Sequence, residues 1–241
     1  ARKMMDYDYW PLVEGRAKVR AAFRGEQLLT AAILGLDQSA PPLVGVTAGH
    51  GEGDLNQFGP SGYSRLGLTL RRDALRTVKL DPDAAIPEGC GAVVVLGPAR
   101  PFPAIAVEAL RRFLDRGGRA LILLEPGRRS GLEGLLEAWG DRVGSGTIAA
   151  PDRVGRELLV TGFADHPATV RLRNLACTFF DPRPVEPRGS EPGADRAWRA
   201  TVLAAGPENG WLENDPDQVP PRFDPESDRA GAIPLAVAVE E

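Results

Sequence analysis

A chain of 241 residues is long enough to bury a substantial core, and its 43% hydrophobic and 26% charged content excludes disordered, collagen-like and coiled-coil classes. With 29 basic against 33 acidic side chains and a net charge of −4, it lacks the positive field that a phosphate backbone demands, which excludes nucleic acid as a partner. The two cysteines, Cys90 and Cys177, rule out a disulfide-dense scaffold and any CxxC zinc or redox site, leaving one disulfide open.

In chain order, residues 25–36 (GEQLLTAAILGL) set Leu28, Leu29, Ala32, Ile33 and Leu36 at helical spacing. Pro41-Pro42 forbids continuation, so an amphipathic opening helix is predicted. A short apolar strand at 43–47 runs into a glycine-rich loop at 48–59 (AGHGEGDLNQFG). A crossover helix over 61–72, carrying Tyr63, Leu66, Leu68 and Leu70, leads to a strand at 76–80. Residues 92–96 (AVVVL) are apolar at every position, as a parallel strand covered on both faces requires, and are placed centrally. Gly97-Pro98 ends that strand. A helix at 104–116 turns Ile105, Val107, Leu110, Phe113 and Leu114 inward and closes at Gly117-Gly118. Residues 119–124 form the next central strand, and a helix at 131–139 gathers Leu132, Leu135, Leu136 and Trp139 on one side. The alternation gives an α/β domain over residues 1–150 built on an open, doubly wound, mostly parallel sheet.

Beyond residue 150 strands are predicted at 157–162, 176–180, 198–204 and 235–239. The segments 181–195 and 208–229 are too polar and proline-broken to form regular elements. Four short strands with long polar loops offer too little apolar surface for a core of their own. Residues 151–241 are therefore expected to be a β-rich extension packed on the first domain. No apolar run approaches the roughly 20 residues that cross a bilayer. No charged-then-apolar leader precedes Tyr9 and Trp10, which suggests a fragment or mature region.

A set of short motifs in order marks a resemblance. Phe23-Arg24-Gly25-Glu26 precedes the opening helix, Thr47-Ala48-Gly49-His50-Gly51-Glu52 follows the first strand, and Ile86-Pro87 precedes the central one. Gly97-Pro98, Arg116-Gly117-Gly118, Leu124-Glu125-Pro126, His166-Pro167, Trp211-Leu212-Glu213 and residues 231–239 (GAIPLAVAV) continue the series. The chain resembles the ABC-type transport auxiliary domain of GldG-like proteins, a family named after gliding motility. Glu125 departs from the pattern, where an Asp is usual before the proline. The resemblance implies a flavodoxin-like or glutamine-amidotransferase-like fold, similar to domains of intraflagellar-transport proteins that serve as interaction modules. It also implies a membrane-anchored parent whose periplasmic domain works, without catalysis or cofactor, beside an ABC permease and ATPase. A small-ligand or glycan-binding module is the alternative, and a hydrolase the third reading.

In an open parallel sheet the ligand crevice lies at the carboxyl ends of the strands where the strand order reverses. For an order 2-1-3-4 the loops there are 49–54 and 97–102, which makes His50, Glu52, Asp54 and Arg100 candidate binding residues, with Glu125 in the same set. The competing explanation gives Gly49, Gly51 and Gly53 positive-φ turns and His50 a capping role. His50-x-Glu52 lacks the downstream PCxxC of a zinc deaminase, and two histidines leave few ways to complete a metal site. GHGEGD also puts carboxylates where a phosphate would sit, so no metal or nucleotide is expected.

An amidotransferase-like enzyme would carry its nucleophile on the sharp turn after the central strand, and here that turn is Gly97-Pro98. Cys90 lies before the strand, and Cys177 begins another. Ser64 and Ser130 stand at helix starts, where capping is their usual work. His166, after Asp165, is expected to satisfy backbone N–H groups at a short helix. Trp198, Trp211 and Phe223 form either core or an aromatic docking surface.

Overall fold

The sequence alternates apolar strands with amphipathic segments, and the computed structural model follows that alternation. It describes residues 5–8, 19–23, 42–59, 62–81, 85–152, 155–188, 199–215 and 220–240. The opening helix, Ser61 and Trp198 lie outside the described residues. The chain divides into two compact units, residues 1–96 with 112–121, and residues 97–111 with 122–241.

The first unit opens with β1 (Met5–Asp8) paired antiparallel with β2 (Val19–Phe23). Then come β3 (Leu43–Thr47), α1 (Ser64–Arg72), β4 (Arg76–Leu80) and β5 (Cys90–Leu96). A further helix, α2 (Ala104–Asp115), leads to β6 (Arg119–Leu123); of these two elements residues 112–121 fall in the first unit and the rest in the second. The parallel sheet has the order β4-β3-β5-β6, the predicted doubly wound arrangement. Val93, Val94, Val95 and Leu96 of β5 are all buried. Fully burying such side chains contributes about 1.5–3 kcal/mol each, which fixes β5 inside the sheet. Val44 and Val46 of β3 share a core with Leu55, Val94 and Leu96, onto which Leu66 and Leu70 of α1 pack one turn apart. Gly45 is needed for space, since a Cβ there would lie 2.6 Å from Leu80 Cδ1.

Two expectations change. The strand predicted as central at 119–124 is β6, at the sheet edge, with Leu121 48% and Leu123 37% exposed. An unbroken apolar run gives burial no direction, so it reads the same in an interior strand and at an uncovered edge. In α2, Leu110 and Phe113 are buried as expected, whereas Ile105 is exposed. The Gly117 and Gly118 N–H groups donate to the Leu114 and Phe113 carbonyls and close the helix as predicted.

The second unit contains α3 (Glu133–Ala138), β7 (Asp141–Val143), β8 (Thr147–Ala149), β9 (Glu157–Val160), β10 (Cys177–Phe180) and β11 (Val185–Pro187). It continues through β12 (Arg199–Ala205), β13 (Trp211–Glu213), β14 (Arg229–Ala230) and β15 (Pro234–Glu240). The described pairings here are antiparallel: β9 with β10, β7 with β11, β12 with β15, and β13 with both β8 and β14. Ile148, Leu158, Val160, Ala204, Ile233 and Leu235 form its core. The segments read as too polar for regular structure hold β11, β13 and the start of β14. Pairing with a distant strand and burial of Trp211 outweigh poor local propensity there.

Candidate functional site

The loop after β3 is the first place where the chain collects polar groups. Gly49 and Gly51 have φ of +101° and +79°, which lets two tight turns bring His50 and Glu52 together. The His50 N–H donates to Glu52 Oε2 at 2.6 Å, and His50 Nδ1 lies 3.6 Å from Glu52 Oε1. The Glu52 side chain is 1% exposed, and its Oε1 has no hydrogen-bond partner among the described residues. A buried carboxylate oxygen in that state costs free energy, on the order of 1–3 kcal/mol or more for a charged group. Gly53 is required for a different reason: a Cβ would lie 2.2 Å from the Tyr63 ring. Its N–H donates to the Leu96 carbonyl at 2.8 Å and ties the loop to the end of β5.

Asp54 does not join this pair. Its Oδ1 accepts the Asn56 N–H at 2.7 Å, and its Oδ2 meets Lys79 Nζ at 3.0 Å. The Asn56 N–H first, and Lys79 second, hold the Asp54 carboxyl below its usual pKa.

Arg100 and Glu125 belong to the second unit, and both are exposed. The Glu125 carboxylate stands over Gly97, whose φ is +60°; a Cβ on Gly97 would lie 2.5 Å from Glu125 Oε1. Cys90 is the first residue of β5, at its amino end, and donates its thiol to the Ala92 carbonyl. Both cysteines are free. His166 acts at a turn as expected, its Nδ1 accepting the Ala168 N–H at 3.1 Å. Trp211 is buried against Phe223, with ring centroids 6.1 Å apart, and donates its indole N–H to Glu213. Among the described residues no cluster of three or more His, Cys, Asp or Glu could hold a metal.

Sequence reasoning missed Arg183. Its guanidinium is buried and donates to the Gly144 carbonyl through Nε at 3.0 Å and Nη2 at 2.8 Å. Nη1 reaches the Glu125 carbonyl at 3.2 Å and the Arg128 carbonyl at 2.8 Å. The available signal was an arginine enclosed by Pro182 and Pro184, both buried, in a segment otherwise read as solvated. Ser130 and Glu133 form the reciprocal cap that S-x-x-E spacing announces: Glu133 accepts the Ser130 and Gly131 N–H groups, and Ser130 Oγ accepts the Leu132 N–H. Asp141 had no sequence signal. It is buried, which pushes its carboxyl up to about 6, and its Oδ1 has no hydrogen-bond partner among the described residues.

Comparison with known proteins separates fold from family. The model of the family described as ABC-type uncharacterized transport system matches residues 41–241. The chain belongs to this transport auxiliary family. No curated protein is matched. Among solved structures, the mmIFT52 N-terminal domain is similar at 18% identity and a TM-score of 0.53, covering 72% of this chain and 80% of that one. A ThuA-like protein from Bacteroides uniformis ATCC 8492 is similar at 13% identity and a TM-score of 0.52, covering 83% and 79%. At such identities the likeness concerns fold, which is the flavodoxin-like, amidotransferase-like α/β class.

Proposed function

We propose that this member of the transport auxiliary family is a non-catalytic binding module, carried outside the cytoplasm by a membrane-anchored parent and docking on a subunit of its ABC transporter. The observation that carries the reading is the turn after β5. A nucleophile at Gly97 would need a side chain at φ +60° and would meet the Glu125 carboxylate at 2.5 Å. Cys90 sits at the opposite end of the same strand. Purified protein is expected to leave an ester, amide and glutamine panel unhydrolysed; turnover lost on Cys90→Ala overturns this reading. Crosslinking in cells is expected to recover transporter or extracytoplasmic proteins, and exclusively cytosolic partners would refute the location.

The buried Glu52 carboxylate favours a second reading, a small-ligand or glycan site in the loop after β3. Thermal scanning against sugars, lipids and divalent metals separates the two, because a ligand that binds only the native state raises Tm. A rise lost in Glu52→Gln would select the ligand site.

A further inference from the structure

Surface arginines of the second unit meet carboxylates. Arg142 and Arg229 share Glu186, Arg156 meets Asp181, Arg173 meets Asp165 and Arg188 meets Glu137. Arg128 and Arg129 depart from this habit. Both are exposed, and neither pairs with a carboxylate among the described residues; Arg128 Nη1 donates to the neutral Ala99 carbonyl at 3.3 Å.

The loop that carries them, residues 125–131, is held by other groups. Arg183 Nη1 takes the Glu125 and Arg128 carbonyls from beneath, and Glu133 takes the Ser130 and Gly131 N–H groups. The Ser130 carbonyl accepts the Phe102 N–H at 2.8 Å, and a Cβ on Gly131 would lie 2.8 Å from that same nitrogen, so the loop packs backbone to backbone on residues 97–102. Both loops belong to the second unit. Pro98, Pro101 and Pro126 restrict them further. Cations mounted on a braced backbone lose little freedom when they bind, which is how a binding surface differs from a solvated charge run.

Charge and exposure together name the partner. Arg100, Arg128 and Arg129 stand against Glu125, so the two loops carry +3 − 1 = +2 in a chain of net −4. Glu133 is consumed by its cap, and Glu108 in α2 pairs with Arg111. Beside the arginines, in the first turn of α2, Ile105 is 61% exposed. Guanidinium forks match the phosphate oxygens of lipid headgroups, and an exposed aliphatic side chain enters the boundary with the acyl chains. An acidic peptide would engage the arginines and leave Ile105 without a role.

We propose that loops 97–102 and 125–131, with Ile105, form a contact surface for anionic lipid headgroups. The membrane-anchored reading supplies the bilayer that this surface would meet. Cosedimentation of the 241-residue chain with vesicles of equal parts phosphatidylglycerol and phosphatidylcholine, against phosphatidylcholine alone, tests the surface itself. Binding is expected to the anionic vesicles and to weaken as salt is raised. Arg128→Gln/Arg129→Gln is expected to lower the partition coefficient about 25-fold, at roughly five-fold per cation lost. Ile105→Ser is expected to lower it about five-fold. Arg142→Gln, an exposed arginine outside the rim, is expected to leave it unchanged, and circular dichroism melting checks that each variant is folded. Equal binding to both vesicle types, or a double variant that binds as the native protein does, overturns the proposal. Binding of poly-glutamate without binding of vesicles also overturns it and gives the rim to an acidic protein segment. Vesicle binding together with exclusively cytosolic crosslinks would refute the location and leave the lipid surface standing.

Discussion

In the parallel sheet, β3 and β5 hold their places through apolar side chains: Val44, Val46, Val94 and Leu96 share one core. Past residue 140, several strands run only two or three residues, too short for side-chain alternation to specify position. There a charged group does the organising. Arg183 gathers carbonyls of residues 125, 128 and 144 onto one guanidinium, linking segments 39 to 58 residues apart in the chain. Area burial tolerates imperfect shape, whereas a fork of directed donors does not. The two regions should therefore fail differently under substitution.

Arg183→Met gives the largest expected effect. It keeps much of the side-chain volume but strands three buried-side carbonyl acceptors, and should lower the unfolding free energy on the order of 3 kcal/mol in urea titration. Arg183→Lys, a point charge unable to span three carbonyls, should recover only part of that loss. A loss below about 1 kcal/mol for Arg183→Met would erase the contrast between the regions.

Gly97→Ala comes next, at about 1–2 kcal/mol, because φ +60° penalises a Cβ before any contact is counted. Adding Glu125→Ala removes the contact but not the backbone term, so the double variant should remain less stable than Glu125→Ala alone. Equal melting temperatures for those two proteins would show that the contact is the whole effect.

The finest test is pH, because two carboxyls of the second unit act in opposite directions. Burial raises the Glu133 pKa, but the Ser130 and Gly131 donors outweigh it and hold the group below its ordinary 4.5. Its stabilisation is present above that value and is lost as pH falls through the lower folded-state pKa. Asp141 is raised from 3.8 to about 6 by burial, so the folded state binds its proton more tightly. Its contribution is greatest below 3.8 and declines as pH rises through about 6. Asp141→Asn should raise the melting temperature at pH 7 and flatten the profile between pH 4 and 6, whereas Glu133→Gln should flatten only the acid limb. No change at pH 7 for Asp141→Asn would refute the raised pKa.

The contrast also explains what the sequence made legible. Leu43 to Thr47 and Arg76 to Leu80 stood out because period and apolar content act locally, and their bounds agree with β3 and β4. The strand order followed from the doubly wound pattern. That β6 is an edge did not, since the run Ala120 to Leu124 carries no record of which neighbours are present. Ser130 announced its capping role by its place at a helix start, whereas its partner Glu133 was not read from the sequence. Arg183 and Asp141 announced nothing, because their roles depend on carbonyls and packing supplied by distant segments. In the loop after β3, the residue types pointed to a polar cluster, but only coordinates separate the buried His50–Glu52 pair from Asp54, which is turned to Lys79.

Gly45 and Leu80 occupy a single volume, one giving up its side chain so that the other fits. In descent the two positions are therefore one heritable unit. A lineage that enlarges residue 45 first meets a 2.6 Å collision, and one that shrinks residue 80 first opens a hole beside a buried strand. A change at one position is therefore expected to alter the cost of a change at the other, so the double substitution should cost less than the sum of the two single ones.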